Sequence, residues 1–453
     1  MPARRRKKTS HSLANAPAAA PASRGRTPPR RALRIIVICC LALGAFVYAQ
    51  GIPLGKGPDE TAHLRYIEFL ARHHRLPVFD PANPDPDYEF HQPPLYYLLC
   101  LPTYLLAGGE GPNAQQSLRF FTLLLSIALL YLTFALASAL APDRPWAAPA
   151  AAGVVAFLPM HLSLSTTVGN DLLSEIFAAA ALLLMVRYLR ASAADQPPGL
   201  AAPAAAGLMI GLGMLTKSIA VLLFPVCWLA AALAARSAAG FRWRQLLRDL
   251  ALITLIALAL SGWWLARNQL RYGDPLANRA FLQAFQGRRP SPQQFMRDYQ
   301  VSSPASYVGE VMIWTAASVT GVFGPVRANR FAFFPYWVYF LTGLLAAAAA
   351  IGFARYLARA DLAPWQRQAW WVCAAFALLL LASFIRFNFS FFQAQARYLF
   401  PALPPAALAF SLGLQELSPA RFRQTAPLVA VAALALLGLL GLPLWIIPQF
   451  ALP

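Results

Sequence analysis

The sequence predicts an all-α polytopic integral membrane protein, and three observations predict it. Apolar runs recur from one end of the chain to the other, and a bilayer crossing needs about 20 apolar residues. The chain is 58% hydrophobic and only 12% charged over 453 residues, too apolar for a soluble domain of that size. Its formal net charge of +20 lies largely where the positive-inside rule puts basic residues. That placement argues against a nucleic-acid partner, the usual reading of so basic a protein.

Residues 1–34 carry ten Lys or Arg and no acid, set among Ala, Pro and Ser. Such a stretch builds no core. Residues 1–32 therefore read as a disordered basic cytoplasmic tail ahead of a membrane domain, 33–453. The apolar run at 35–48 has a basic flank but no small-residue cleavage site, so it reads as an uncleaved first span. Further spans read at 118–141, 147–166, 171–189, 200–216, 218–235, 249–266, 334–354, 368–386, 398–415 and 425–447. With 33–50 that makes about eleven.

The run 94–108 is left out of that count, being short and interrupted by Pro102. If it crossed, Arg187, Arg190 and the stretch FRWRQLLR at 241–248 would face outward. If it does not, they join Arg355, Arg359, Arg421 and Arg423 on the cytoplasmic side. The run then reads as an interfacial helix, with Tyr96, Tyr97 and Tyr104 at headgroup depth. The N-terminus lies inside and the C-terminus outside, and two long outer segments result, 51–117 and 267–333. Cys39, Cys40, Cys227 and Cys373 sit in apolar runs and Cys100 stands alone outside, so no disulfide or zinc framework is implied.

Polar residues in or beside spans are costly and so are candidates for function. On this topology they collect on the outer side. GKGPDETAHLRYIEFL, at 55–70, puts Asp59 and Glu60 at the start of a helix to about Arg72, with Asp59 and His63 on one face. Two acids at a helix N-terminus are also ordinary capping. FHQPPLYYLL carries His91 and Gln92 at the entry to the interfacial helix, where a plain turn would serve as well. VGNDLLSEI carries Asn170 and Asp171, good capping residues, and Glu175, which needs a partner or water one turn further in. MLTKSIAV leaves Lys217 alone between two spans, explained by snorkelling or by a phosphate. SGWWLARNQLRYGDPL sets Arg267 and Arg271 four apart on one face, ready for an anion. FFQAQARYLFPAL opens a span with Arg397 and Tyr398 on the side where Arg is disfavoured. One hypothesis covers the set: an outward cavity whose acids handle a hydroxyl proton and whose cations hold the phosphate of a lipid-linked sugar.

The pieces PDETAHLRYIEFL, HQPPLYYLL, GNDLLSE, GLGMLTKS, GWWLARNQLRYGDPL and ARYLFPALP, in that order, resemble the GT-C superfamily of polyprenyl-phosphate-dependent glycosyltransferases. The resemblance is greatest to the bacterial branch of protein O-mannosyltransferases and lipid A aminoarabinose transferases. It implies a GT-C-like fold with interfacial helices in the first outer loop, and a hexosyl or pentosyl transfer with inversion. The donor would be a polyprenyl-phosphate-linked sugar, and the acceptor a hydroxyl on a glycan, lipid or protein. Asp59 falls on the family's acid and is expected to be the general base. Glu60 accompanies it, and Asp171 positions the acceptor or a metal. Lys217, Arg267, Arg271, Arg397 and Tyr398 are the candidates for the donor phosphate, and His63, His91, Gln92 and Asn170 for substrate positioning. Where the aminoarabinose transferases have Glu-Lys before the prolines, this chain has His91-Gln92, so those contacts are not carried over. No cofactor is certain; if a divalent cation (Mg, Mn or Zn) binds, Asp59, His91 and Asp171 are its candidate ligands. The Ala-, Arg- and Pro-rich usage points to a bacterial inner or plasma membrane, with the site facing the periplasm or exterior.

Three other readings compete. A lipid-linked glycan flippase or transporter would carry its polar groups near the midplane, whereas here they sit at the outer ends. A non-catalytic assembly subunit would tolerate loss of Asp59, which is present. An O-antigen ligase or polymerase would use a polyprenyl diphosphate glycan and is separated mainly by the Asp-Glu pair after the first span.

Overall fold

The structure is a computed structural model and describes residues 28–194, 199–237, 240–286, 288–326, 330–359 and 361–451. Most of the basic tail, 1–27, lies outside the described residues, and the first helix begins at Pro28. The protein is a helical membrane bundle. Two short antiparallel pairs interrupt it, Arg236–Ser237 with Gly240–Phe241 and Val322–Phe323 with Ala332–Phe333.

Among the described residues seven helices are long and apolar enough to cross a membrane, or eight if the bent pair Ala147–Phe157 and Pro159–Ser165 is one span. The bend is 70° and falls where Pro159 cannot donate to the preceding turn. The runs expected at 200–216, 218–235 and 398–415 form shorter helices, Ala201–Met214, Leu223–Ala234 and Leu403–Leu417. The last two continue backwards as the 3-10 turns Ser218–Leu222 and Ala396–Ala402. The expected span count of about eleven is therefore met only by counting such composite segments.

Small residues let these helices approach closely, the packing that serves where lipid offers no hydrophobic drive. Between Tyr336–Leu357 and Leu403–Leu417, a Cβ on Gly352 would come within 2.0 Å of the Gly413 carbonyl oxygen, and one on Gly413 within 1.9 Å of that of Ala349. Away from such seams Phe340, Leu344 and Ile351 point outward, as lipid-facing side chains should.

The segment 51–117 has a core of its own. Helices Glu60–His73 and Leu95–Leu106 pack through Tyr66, Ile67, Leu70, Tyr96, Tyr97 and Tyr104. Tyr66 and Tyr97 stack with ring centroids 3.7 Å apart. The 12 residues of Leu95–Leu106 rise about 18 Å, shorter than a bilayer core of about 30 Å. Its three tyrosines are buried against neighbouring helices. Tyr96 donates to or accepts from Thr122 and takes the Gly169 N–H, so its hydroxyl serves the interior.

Candidate functional site

Asp59 sits just ahead of the Glu60–His73 helix with φ +55°, a left-handed conformation that Asp tolerates better than most residues. It makes no capping hydrogen bond. Its side chain turns into a cavity of about 380 Å³, where Oδ1 accepts from the Tyr88 hydroxyl at 3.0 Å and Oδ2 from Arg397. The ordinary capping account therefore fails for this residue.

Glu60 points the other way. Its two oxygens accept a bidentate pair from Arg119, both at 2.7 Å, and also take the N–H groups of Gly55 and Gly57. Arg119 spends its remaining donors on the carbonyls of Ala49, Ile52 and Pro53. Neither side chain is more than 1% exposed. Glu60 does not line the cavity, so its expected catalytic role gives way to a structural one. It joins the end of the first span to the Gly111–Leu140 helix.

Four charges alternate along the cavity wall. Lys217 donates to Asp171 Oδ1, Arg397 reaches Asp171 Oδ2 at 3.4 Å, and Arg397 also holds Asp59. Arg397 lies over the Tyr398 ring, 5.0 Å from its centroid. Asn170 donates to Gln92 at 3.2 Å and to the Thr216 carbonyl at 3.0 Å, joining three loops. His63 shares a 2.8 Å hydrogen bond with the Tyr97 hydroxyl, and His91 Nδ1 faces the Tyr88 carbonyl at 2.6 Å. Asp59, His63, His91, Gln92, Asn170, Asp171, Lys217, Arg397 and Tyr398 thus share one cavity.

Arg267 and Arg271 do not line it. Arg267 lies over Trp264 and donates to the Pro77 carbonyl, tying the two long loops together. Arg271 is exposed. The expected pairing of these two with the cavity cations is therefore not seen.

Sequence reasoning missed three groups that do line it. Glu89, in the 3-10 turn Tyr88–His91, is buried. Arg386, at the end of the Pro364–Asn388 helix, is exposed at the rim and makes no ion pair among the described residues. Phe281, on the Asn278–Phe285 helix of the second long loop, packs on His91 and helps close the cavity. The signal for Arg386 was present, a cation ending an apolar run. Glu175 does find a partner, His161 at 2.9 Å.

Burial raises the Asp59 carboxyl, but the Arg397 guanidinium, His63 and the two hydrogen bonds outweigh it and hold the group well below the usual carboxylate range. Glu89 goes the other way: burial pushes it up, and His63 offsets this only in part. Burial lowers His63, and pushes His91 down to about 4 against the pull of the Tyr88 carbonyl. Burial therefore disfavours the charged forms of both imidazoles and of Glu89, while Asp59 is held toward its ionised form.

Asp59, His91 and Asp171 share the cavity, yet among the described residues no three His, Cys, Asp or Glu side chains gather as a metal group. Each aspartate already has a cationic partner.

Residues 91–264 match the profile of the family described as dolichyl-phosphate-mannose-protein mannosyltransferase. No curated protein matches the sequence at a meaningful level. The bundle itself superposes on solved structures. The oligosaccharyltransferase of Archaeoglobus fulgidus, tethered to an acceptor peptide, aligns at TM-score 0.56 and 14% identity, covering 93% of this chain and 55% of that one. ArnT from Cupriavidus metallidurans aligns at TM-score 0.53 and 18% identity in the apo state, covering 92% and 73%. The chain has the GT-C glycosyltransferase fold. With undecaprenyl phosphate bound, ArnT aligns at TM-score 0.51 and 17% identity, covering 92% of this chain and 74% of that one. The chain spans about half the length of the archaeal GT-C structure.

Proposed function

We propose that the protein is an inverting glycosyltransferase that moves a hexosyl or pentosyl unit from a polyprenyl-phosphate donor to a hydroxyl acceptor. The observation that carries this reading is the cavity itself, which gathers Lys217, Arg386 and Arg397 with Asp59, Glu89 and Asp171 at one end of a membrane bundle. A lipid phosphodiester needs cations of this kind, Arg for bidentate contact and Lys as a point charge. The wall of the cavity at Leu380, Phe384 and Phe387 is apolar, and Leu381, Ile385 and Phe389 of the same helix are exposed. A lipid can reach the cavity along that face with its phosphate at Arg386. That ArnT binds undecaprenyl phosphate on the same fold supports the donor class.

In the reaction, the acceptor oxygen attacks the anomeric carbon from the side opposite the phosphate. The lipid phosphate leaves into the field of Lys217 and Arg397, which neutralise its charge. Asp59 was the expected base. It keeps that part in this reading: each oxygen accepts one hydrogen bond, from Tyr88 or from Arg397, and retains a lone pair for the acceptor proton. Gln92 and Asn170 brace the wall, and His63 and His91 offer neutral ring nitrogens for hydroxyl contacts.

The site is proposed to face away from the cytoplasm, in a bacterial inner or plasma membrane. Asp171 in the cavity and Arg190 lie at opposite ends of one 23-residue helix. Arg144 and Arg359 pair with Glu416 away from the cavity, where the positive-inside rule puts basic residues. A sugar-free probe tests the donor site. Undecaprenyl phosphate in detergent should bind the wild type and bind Arg397→Ala at least about tenfold more weakly, the loss of one charge-assisted hydrogen bond. Equal binding by both would refute the assignment.

A further inference from the structure

Two hydrogen-bond acceptors of the cavity wall lack a donor among the described residues, and they belong to one turn, Tyr88–His91. The first is Glu89. Asp59 is held by Arg397, Asp171 by Lys217 and Glu175 by His161. Among the described residues Glu89 makes no ion pair, and its Oε2 has no hydrogen bond. The residue is only 6% exposed, and a buried carboxylate without donors is costly. Buried groups left unsatisfied in this way call for an explanation in function.

The second is His91. Its Nδ1 lies 2.6 Å from the Tyr88 carbonyl oxygen, which can only accept, so Nδ1 carries the ring proton. Nε2 is then a bare lone pair, and the ring makes no other hydrogen bond among the described residues. Phe79 and Phe281 fix the ring, with centroids 5.4 and 4.9 Å away. The turn is fixed as well: the Tyr88 hydroxyl donates to Asp59, and the Phe90 ring packs on Tyr66 and Phe69. One rigid support thus carries both acceptors into the cavity that Asp59 lines.

The chemistry of the pair selects its ligand. A phosphate brings acceptors of its own and is served by Lys217, Arg386 and Arg397, and an apolar tail offers no donors. The attacking hydroxyl of the acceptor gives its proton to Asp59. What remains is the sugar, which lies between the phosphate and Asp59 and carries several O–H donors. We propose that Glu89 and His91 form a subsite for the transferred sugar, the Glu89 carboxylate and His91 Nε2 each accepting from one of its ring hydroxyls. This rests on the transferase reading. No bond to either residue is made or broken in the reaction; their part is binding and selection. A sugar that lacks a matching hydroxyl leaves a buried acceptor unpaired and is rejected.

The test uses the full chain in mild detergent and two lipids. One is undecaprenyl phosphate, the other the sugar-bearing polyprenyl phosphate extracted from membranes of the protein's own cell. The readout is the ratio of the two Kd values, with Tm measured alongside. Phosphate and tail are common to both lipids, and loss of the Glu89 charge shifts both Kd values alike, so the ratio reports the sugar alone. Glu89→Leu should cut the preference for the sugar-bearing lipid at least about tenfold, the worth of a hydrogen bond to a charged group. Its Tm should not fall. Glu89→Gln keeps an accepting oxygen and should lose less. His91→Phe keeps a ring between Phe79 and Phe281 and should cut the preference about threefold or more, the worth of a neutral hydrogen bond. A preference within twofold of wild type in Glu89→Leu overturns the proposal, and so does equal weakening of both lipids, which marks a role in the fold. A wild type that binds both lipids equally also overturns it and leaves the transferase reading standing. A wild type that binds neither takes down that reading and this inference with it.

Discussion

Two regions of the molecule treat adjacent acids in opposite ways. In the seam behind the Glu60–His73 helix, Glu60 and Arg119 bury a fully hydrogen-bonded pair, with every remaining donor of the guanidinium spent on the backbone of 49–53. In the cavity in front of that helix, Asp59 shares Arg397 with Asp171, and among the described residues Glu89 Oε2 has no hydrogen bond and Arg386 no ion pair. The difference separates architecture from chemistry. Complete pairing rigidifies a junction, while incomplete pairing leaves charge available to a ligand.

The contrast is broken most severely at the seam. Arg119→Ala strands Glu60 in the interior and should cost about 3–5 kcal/mol, the usual penalty for orphaning a buried ion. Thermal unfolding of the purified protein and its yield as a monodisperse species measure this, and an unchanged Tm would show that the seam is dispensable. In the cavity, Lys217→Ala should weaken undecaprenyl phosphate binding by about 1.5–3 kcal/mol while lowering Tm less than Arg119→Ala does, because Arg397 still reaches Asp171. Titration calorimetry reads the first quantity and differential scanning fluorimetry the second.

A smaller effect sharpens the comparison through pH. Glu89 has a raised folded-state pKa, so its contribution to stability is fully present below the usual value of 4.5 and is lost as pH rises through the folded value. Glu89→Gln escapes that loss, and its Tm advantage over wild type should therefore grow from acid toward neutral pH. A constant difference across that range would contradict the burial of an unpartnered carboxylate. Asp59 has the opposite sign. Its stabilisation is present above the usual 3.8 and is lost only on falling through a much lower value, so Asp59→Asn should cost stability throughout the neutral range. Smallest of all, Arg271→Ala should leave both donor binding and stability within about 0.5 kcal/mol, as for an exposed side chain away from any site.

The membrane class was legible because apolar runs are a strong signal, and 94–108 forms a helix of only 12 residues that contains Pro102. The span count was less legible. Ser218–Leu222 and Ala396–Ala402 are tight 3-10 turns that hydropathy cannot distinguish from the helices they precede. In the cavity, Asp59, Lys217 and Arg397 stood out because each is a charge in apolar surroundings. Glu60 was misassigned because its partner, Arg119, lies 59 positions away in the chain and spacing reveals only neighbours on one helix. Glu89 was invisible for another reason. It sits in PDPDYEFHQPP beside Asp85 and Asp87, which pair with Arg288 and Arg65, and nothing local marks it as the one turned inward.

The measurement that bears most directly on the central claim is the identity of the lipid that stays with the protein. The full chain, purified in mild detergent, is analysed by mass spectrometry beside a Lys217→Ala, Arg397→Ala double variant. The account predicts a polyprenyl monophosphate, bare or carrying one sugar, on the wild type and its loss from the double variant. A polyprenyl diphosphate glycan on both proteins would contradict it and return the cavity to a ligase, polymerase or flippase.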